Sequence, residues 1–495
     1  MTEDGPTVDH PAVQDDRREA AAGPTPVSTR AWRALAVGSA GYVLFGFNAT
    51  ATNLSFAAIA DDFDGVSETV VAWVAAGYFI ASAAFLPLGG RLADRLGRRR
   101  VFNAGLIGFT VTALISAAAP TVWILIAARS LQAVAAAMVI PSSLSMALPE
   151  FPAHRRPSAV ATWAAAGPLS AAIAPSAAAA LLEVSSWRVV YFVTAPVALV
   201  TLALSLRYVA RSRADEVDGR LDVAGTVLAT LAIGLLVLSI SQGRAWGWTS
   251  AATIGAAGAS VVLGIAFLRR SLSHPTPLLN LSLFRVPQVA AANLANLAMS
   301  TTSLSIWLVW PLFLGRVWDY SNGRIGLAIT AGPICAGPAS LIGGRLADRY
   351  GQRWLMIGGS ALATAAVLWS WWRLGAEPNY VRDLLPSIMA FGTGWGLSNP
   401  SMNSWALAPV DQDVYGEVNA SFNTIRNLGG AIGVSIAVAI IGDADRPDVI
   451  AAYARANLFL AGSVALSCLI VIAGTVLVAR RDRQGGSRPR EEPGP

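Results

Sequence analysis

The chain contains no lysine: all 36 of its basic residues are arginine. A phosphate-binding loop needs a Lys on the nucleotide phosphates, so nucleotide hydrolysis by that route is excluded, and so is Schiff-base chemistry. Cysteine and histidine are scarce too. Cys335 and Cys468 lie in apolar segments and read as small hydrophobes, while His10, His154 and His274 lie in a tail or in arginine-containing loops. No His/Cys cluster has metal spacing, and neither HExxH nor GxSxG occurs. No metal site, no cofactor and no soluble enzyme's catalytic constellation is therefore expected. Charge is thin overall, at 13% of residues against about 25% in an ordinary globular protein.

Apolar length is what the chain has in quantity. Hydrophobic residues make up 54% of it and the mean hydropathy is +0.52. A membrane span needs about 20 apolar residues. Such segments fall near 33–58, 69–89, 101–119, 122–146, 157–181, 189–208, 222–242 and 250–268, then near 288–314, 325–345, 354–374, 384–406, 417–441 and 454–479. Residues 1–30 are polar and read as a disordered tail. No short apolar core precedes a small-residue cleavage site there, so they do not read as a signal peptide. Residues 481–495 read as a second tail. The net charge of +6 does not imply nucleic acid, because the arginines sit in short runs between apolar segments. With both termini inside, 26 arginines fall in tails and inside loops and eight in outside loops, as the positive-inside rule requires.

One charged phrase is written twice. Residues Gly89 to Arg100 read GGRLADRLGRRR, and Gly343 to Trp354 read GGRLADRYGQRW. Both copies fall inside, after the second span and after the tenth. Two plain six-helix halves would put the second copy after the eighth span, so two helices stand between the halves. The expected units are 31–210, 211–286 and 287–480. In the first copy Gly90 allows close approach to a neighbouring backbone, and Gly97 allows a tight reversal. Asp94, among Arg95, Arg98 and their neighbours, offers ion pairs that could latch the halves and break as they part. Gly344, Asp348, Arg349 and Gly351 repeat the pattern.

Polar stripes run along several spans. Asn48, Thr52 and Ser55 share a face, with Asn53 beside it; Asn419, Asn423 and Arg426 share another, ahead of Gly429, Gly430 and Gly433. Asn293, Asn296, Asn399 and Asn403 add uncharged polarity. Trp73, Tyr78, Trp163, Trp307, Trp310, Trp395 and Trp405 are open to three readings: packing, interfacial anchoring, or lining a cavity for amphipathic ligands. Arg129 lies about 12 Å deep in its span at 1.5 Å per residue, which marks it as functional, and Gln132 shares its face.

The doubled phrase resembles the signature loop of the major facilitator superfamily, G-x-L-A-D-R-x-G-R-R. The fourteen-span layout resembles its drug:proton antiporter branch, over nearly the whole chain. The resemblance implies an all-α polytopic membrane protein of 6+2+6 helices whose two halves rock around a midplane site. It also implies export of hydrophobic small molecules across a bacterial inner membrane, driven by a proton gradient, with no nucleotide as partner. Arg129 and Gln132 are similar to the family's R-x-x-Q-G element, associated with proton translocation. FGFNATATNLSFAAI is similar to L-D-x-T-I-V-N-V-A-L-P, placing Asn48 where the family has a membrane-embedded Asp. Asn can only hydrogen-bond, and no span carries an acid far from an end; Glu417 and Asp94 are the next coupling candidates. An uncoupled facilitator or exchanger is thus the alternative, and a non-transporting sensor a remote one. Lacking a deep carboxylate, the cavity suits neutral or weakly anionic compounds better than lipophilic cations. Gly167, Pro168 and Pro175 resemble part of the antiporter motif G-P-x-x-G-G and imply a bend in the fifth helix.

Overall fold

Lipid offers no partner to a free N–H or C=O, so a chain this apolar must close its backbone hydrogen bonds within helices. The computed structural model describes residues 27–152, 155–210, 222–275, 277–410, 414–442 and 448–485. Regular structure among them is entirely helical. The first half comprises α1 (Thr29–Leu54), α2 (Phe56–Asp62), α3 (Glu68–Val71), α4 (Trp73–Leu96) and α5 (Arg98–Ala117). It continues with α6 (Val122–Ser145), α7 (Arg156–Val184) and α8 (Trp187–Tyr208). A hairpin of α9 (Val223–Trp246) and α10 (Ala251–Ser273) follows. The second half contains α11 (Pro287–Ser303), α12 (Ile306–Arg316), α13 (Asn322–Tyr350) and α14 (Gln352–Arg373). It ends with α15 (Tyr380–Asp383), α16 (Leu385–Leu407), α17 (Tyr415–Ile441) and α18 (Val449–Gly485).

Helix starts follow from short polar side chains that accept the first free N–H groups. Ser28 accepts from Ala31, Thr121 from Ile124, Asp222 from Gly225 and Ser321 from Arg324. Among the described residues, twelve helices are long and apolar enough to cross a membrane. The expected spans at 157–181 and 384–406 are not among them, yet both form helices, α7 of 29 residues and α16 of 23. Gly, Ser and Asn dilute the apolar content of α16. In α7 the apolar helix among the described residues is Ile173–Val184.

The first span of each half is interrupted at a serine. Ser55 separates α1 from α2 and its hydroxyl donates to Ala51 O at 2.8 Å; Ser305, between α11 and α12, donates to Thr301 O at 2.7 Å. A hydroxyl that shares the carbonyl of the preceding turn loosens the ladder there. The α9–α10 hairpin is peripheral. Helix α9 packs against both α4 and α17, while only 11% of the α10 span is buried.

Two apolar cores form. The smaller joins Leu35, Phe102, Leu106, Met146 and Phe151, all near the end of the first half that carries the GGRLADR turn. The larger runs through the whole second half but takes from the first half only residues nearer the opposite end, such as Ile59, Val71, Leu125 and Trp187. The halves therefore share an apolar core away from the turns.

Candidate functional site

The two turns reverse the chain at Gly97 and Gly351, with φ of 96° and 80°. A side chain rarely tolerates those angles, so glycine is required for α4 to pass into α5 and α13 into α14. Close backbone approach falls on Gly89, not Gly90. A Cβ on Gly89 would collide with the Ala137 carbonyl of α6, whereas one on Gly90 would make ordinary contact with Pro141, 3.6 Å away. Nothing lies within 4 Å of a Cβ on Gly344. One position earlier is where α4 turns its face to α6, a register the sequence does not reveal. The side chains of Asp94 and Asp348 lie outside the described residues, so the expected latch acids have no geometry here. Their arginine neighbours bind carbonyls: Arg98 donates to Ser145 O at 3.0 Å, Arg99 to Leu206 O at 2.7 Å and Arg91 to Pro277 O at 2.7 Å. Arg95 and Arg349 are exposed. The second turn borders a cavity of about 200 Å³ lined by Gly344, Gln352, Pro400, Ser401 and Ser404 among others.

Deep in the first half, Arg129 is 1% exposed. Its Nη1 donates to Asn48 Oδ1 of α1 and, at 2.5 Å, to Gln132 Oε1 one turn along α6. The Tyr78 ring of α4 lies 4.4 Å from the guanidinium carbon and the Tyr191 ring of α8 5.3 Å. The Tyr191 hydroxyl meets Thr52 Oγ1 at 3.3 Å, and Thr52 donates to Asn48 O at 2.8 Å. Asn53 is buried beside them. Four helices thus converge on one cation. The sequence singled out the Arg129–Gln132 pair, the Asn48–Thr52 stripe and Tyr78 as three separate features, and the fold brings them together. Tyr191 was missed; nothing in its local sequence sets it apart from a packing aromatic.

A second polar cluster lies in the other half. Asn399 Nδ2 donates to Asn296 Oδ1 at 3.3 Å, and Asn296 Nδ2 donates to Phe422 O at 2.7 Å. Asn403 donates to Asn419 Oδ1 at 2.8 Å, and Asn423 to Asn419 O at 2.9 Å. Arg426 on the same helix is half-buried, with its Nε buried and without a partner among the described residues. A Cβ on Gly429 would reach Leu297 O at 2.7 Å, so the glycines of α17 seat it against α11.

The aromatic residues divide. Trp310 is fully enclosed, bonded to Asn457 Oδ1 at 3.3 Å and edge-on to Phe391, so it is a core residue of the second half rather than a cavity wall. Trp73 donates to Ser241 of α9 at 3.2 Å, away from the Arg129 cluster. Trp163 stacks on Tyr42, whose ring occupies the space that Gly167 leaves open. Trp307 is half-buried against Gly332 of α13. Helix α7 runs unbroken through positions 168 and 175; the side chain of Pro168 lies outside the described residues, and Pro175 O faces Gly326 of α13. Glu417 is exposed at the turn end and accepts from Asn280 Nδ2 at 2.7 Å.

Polar contacts between the halves gather at the end opposite the turns. Arg316 Nη1 donates to Glu68 Oε2 at 2.8 Å, and Nη2 donates to Glu68 Oε1. Glu183 accepts from Gly323 N at 2.8 Å and from Ser321 Oγ at 3.2 Å, which sets a carboxylate at the positive start of α13. Ser176 and Thr330 hydroxyls meet at 2.8 Å. On the turn side, Asp222 is buried at the start of α9. Burial pushes its pKa up, but the Arg270 guanidinium at 2.6 Å and the N–H groups of Gly225 and Leu278 hold it below the usual carboxylate range.

Residues 38–222 and 289–494 match the model of the Major Facilitator Superfamily. The chain is 29% identical to the probable actinorhodin transporter of Streptomyces coelicolor, over 88% of this chain and 75% of that protein. It is 31% identical to the multidrug efflux pump LfrA of Mycolicibacterium smegmatis, over 83% of this chain and 81% of that one. Among solved structures, a D-xylose–proton symporter shares the fold with a TM-score of 0.65 and 14% identity, covering 89% of this chain and 97% of that one.

Proposed function

The chain belongs to the Major Facilitator Superfamily, and from that premise we propose that it exports hydrophobic small molecules by alternating access. The observation that carries this reading is the one-sided closure between the halves. Glu68–Arg316, Glu183–Gly323, Ser176–Thr330 and the shared apolar core all lie away from the turns, while the first half keeps a separate core beside its turn. A molecule closed at one end and divisible at the other is one state of a rocking cycle. In our reading the turn end is cytoplasmic, on the bias of the arginines, so this state faces inward. We read fourteen spans, α7 and α16 included, in the inner membrane of a bacterium, with both termini inside. The family match skips residues 223–288, which supports reading α9 and α10 as an insertion between two six-span halves. The names of the relatives, an antibiotic transporter and a multidrug pump, support a drug or metabolite as cargo.

A proton gradient supplies the energy in this reading. The competing reading is an uncoupled facilitator, and Asn48 favours it: an amide stands beside Arg129 where a carboxylate would bind and release a proton. Substrate export from everted vesicles, with and without an imposed pH gradient, separates the two. Export that ignores the gradient would establish the facilitator. Asn48→Asp is expected to create or strengthen gradient dependence. Full coupling in the wild type that the substitution leaves unchanged would assign the proton to another acid, with Glu417 and Asp94 tested first.

A further inference from the structure

Arg129 carries a permanent charge into the interior, and every described group that bonds to it or faces it with a ring is neutral. The described carboxylates all lie in loops or near helix ends. The backbone of Asp94 is about 24 Å along α4 from Tyr78 at 1.5 Å per residue, and Asp348 lies in the last turn of α13.

Hydrogen-bond accounting around the guanidinium is lopsided. The two amide oxygens in reach, Asn48 Oδ1 and Gln132 Oε1, both already accept from Nη1. Arg129 Nε, Asn48 Nδ2, Gln132 Nε2 and the Tyr78 hydroxyl are buried with no partner among the described residues. Three of these four can only donate, and the hydroxyl can donate. Buried donors without acceptors are costly, and a buried cation without a counter-charge is costlier still. Neutral solute groups cannot balance both deficits, whereas an anionic oxygen supplies acceptor lone pairs and the missing charge together. The tyrosine rings occupy faces near the guanidinium, while Nε is one corner of the side-on fork by which arginine grips carboxylates.

We propose that the Arg129–Asn48–Gln132–Tyr78 cluster is a subsite for an anionic oxygen, a carboxylate or ionised phenol, borne by the hydrophobic compound that the protein moves. The cargo then brings the counter-charge that the chain lacks at Asn48. This rests on the exporter reading for its cargo, but its test is a binding measurement that needs no transport.

Purified protein in lipid nanodiscs is titrated at pH 7 with 1-naphthoate and with its uncharged isostere 1-naphthamide, following intrinsic fluorescence and the thermal midpoint. Naphthoate is expected to bind at least about tenfold more tightly, a difference of about 1.4 kcal/mol. In Asn48→Asp, whose carboxylate would occupy the guanidinium, naphthoate affinity is expected to fall by about tenfold or more, so that its advantage over naphthamide is lost. The thermal midpoint of the variant without ligand reports that it folds. Equal binding of acid and amide, or naphthoate binding indifferent to Asn48→Asp, would overturn the subsite. So would protection by chloride alone equal to that by naphthoate, which would mark a site for inorganic anions. Intact naphthoate binding with no vesicle export would count against the exporter reading and leave the subsite standing.

Discussion

At Arg129 the cost of burying a guanidinium is only partly offset by two amide oxygens and two tyrosine faces, with no carboxylate among its partners in the described residues. Each of Arg129, Gln132 and Asn48 was legible as a polar residue inside an apolar segment, because such placement is expensive. Their meeting was not legible, since Asn48 and Arg129 are 81 residues apart and on different helices. The turn glycines make a sharper contrast at this scale. Gly97→Ala is expected to cost about 1–3 kcal/mol, because alanine is strained at a φ of 96°. Gly344→Ala, with open space around its Cβ, is expected to stay within about 0.5 kcal/mol of wild type. Thermal midpoints of the two purified variants check the pair. Equal losses would show that motif membership, not backbone angle, sets the requirement.

Among elements, the α9–α10 hairpin is tied together at the turn end by Asp222. Asp222 caps α9 through Gly225 N, pairs with Arg270 of α10 and accepts from Leu278 N in the strand of chain leading to α11. Because its folded pKa is depressed, its contribution is full at neutral pH and is lost as the pH falls below about 4. Asp222→Asn is expected to cost about 2–3 kcal/mol at pH 7, as bonds to a charged acceptor are weakened. It should also flatten the acid limb of the stability profile, followed by the thermal midpoint from pH 7 down to pH 3. An acid limb as steep as in wild type would show that another carboxylate governs it. Hydropathy located these helices, and the doubled phrase led to the expectation that two of them stand between the halves. Neither could show that α9 packs on the seam between α4 and α17.

For the whole molecule, the prediction concerns closure. Ser176 and Thr330 sit on α7 and α13 with their hydroxyl oxygens 2.8 Å apart. Ser176→Cys with Thr330→Cys, in a background where Cys335 and Cys468 are replaced by alanine, is expected to form a disulfide on mild oxidation. Export should stop and return on reduction. Export that continues with the bond formed would remove the α7–α13 contact from the transport cycle. Glu68 and Arg316 make the other cross-half clasp, and Glu68→Gln is expected to lower the thermal midpoint of the closed molecule by leaving a half-buried guanidinium without its counter-charge. An unchanged midpoint would show the pair to be incidental. These two residues escaped the sequence reading because a charge beside a span end has a sufficient explanation in topology alone.

The sequence by itself determined that this chain lives in lipid, where its long helices lie, that a charged turn is written twice, and that polarity inside the apolar segments concentrates on a few residues. Those properties are written in composition, local periodicity and repetition, which need no contact between distant parts. Only the tertiary structure decided that Gly89 rather than Gly90 meets α6, that Trp310 is core, and that Asn48 is the partner of Arg129. It also decided at which end the halves close. Each of these depends on how one helix is rotated and seated against another, and in a chain so evenly apolar no periodicity records that angle.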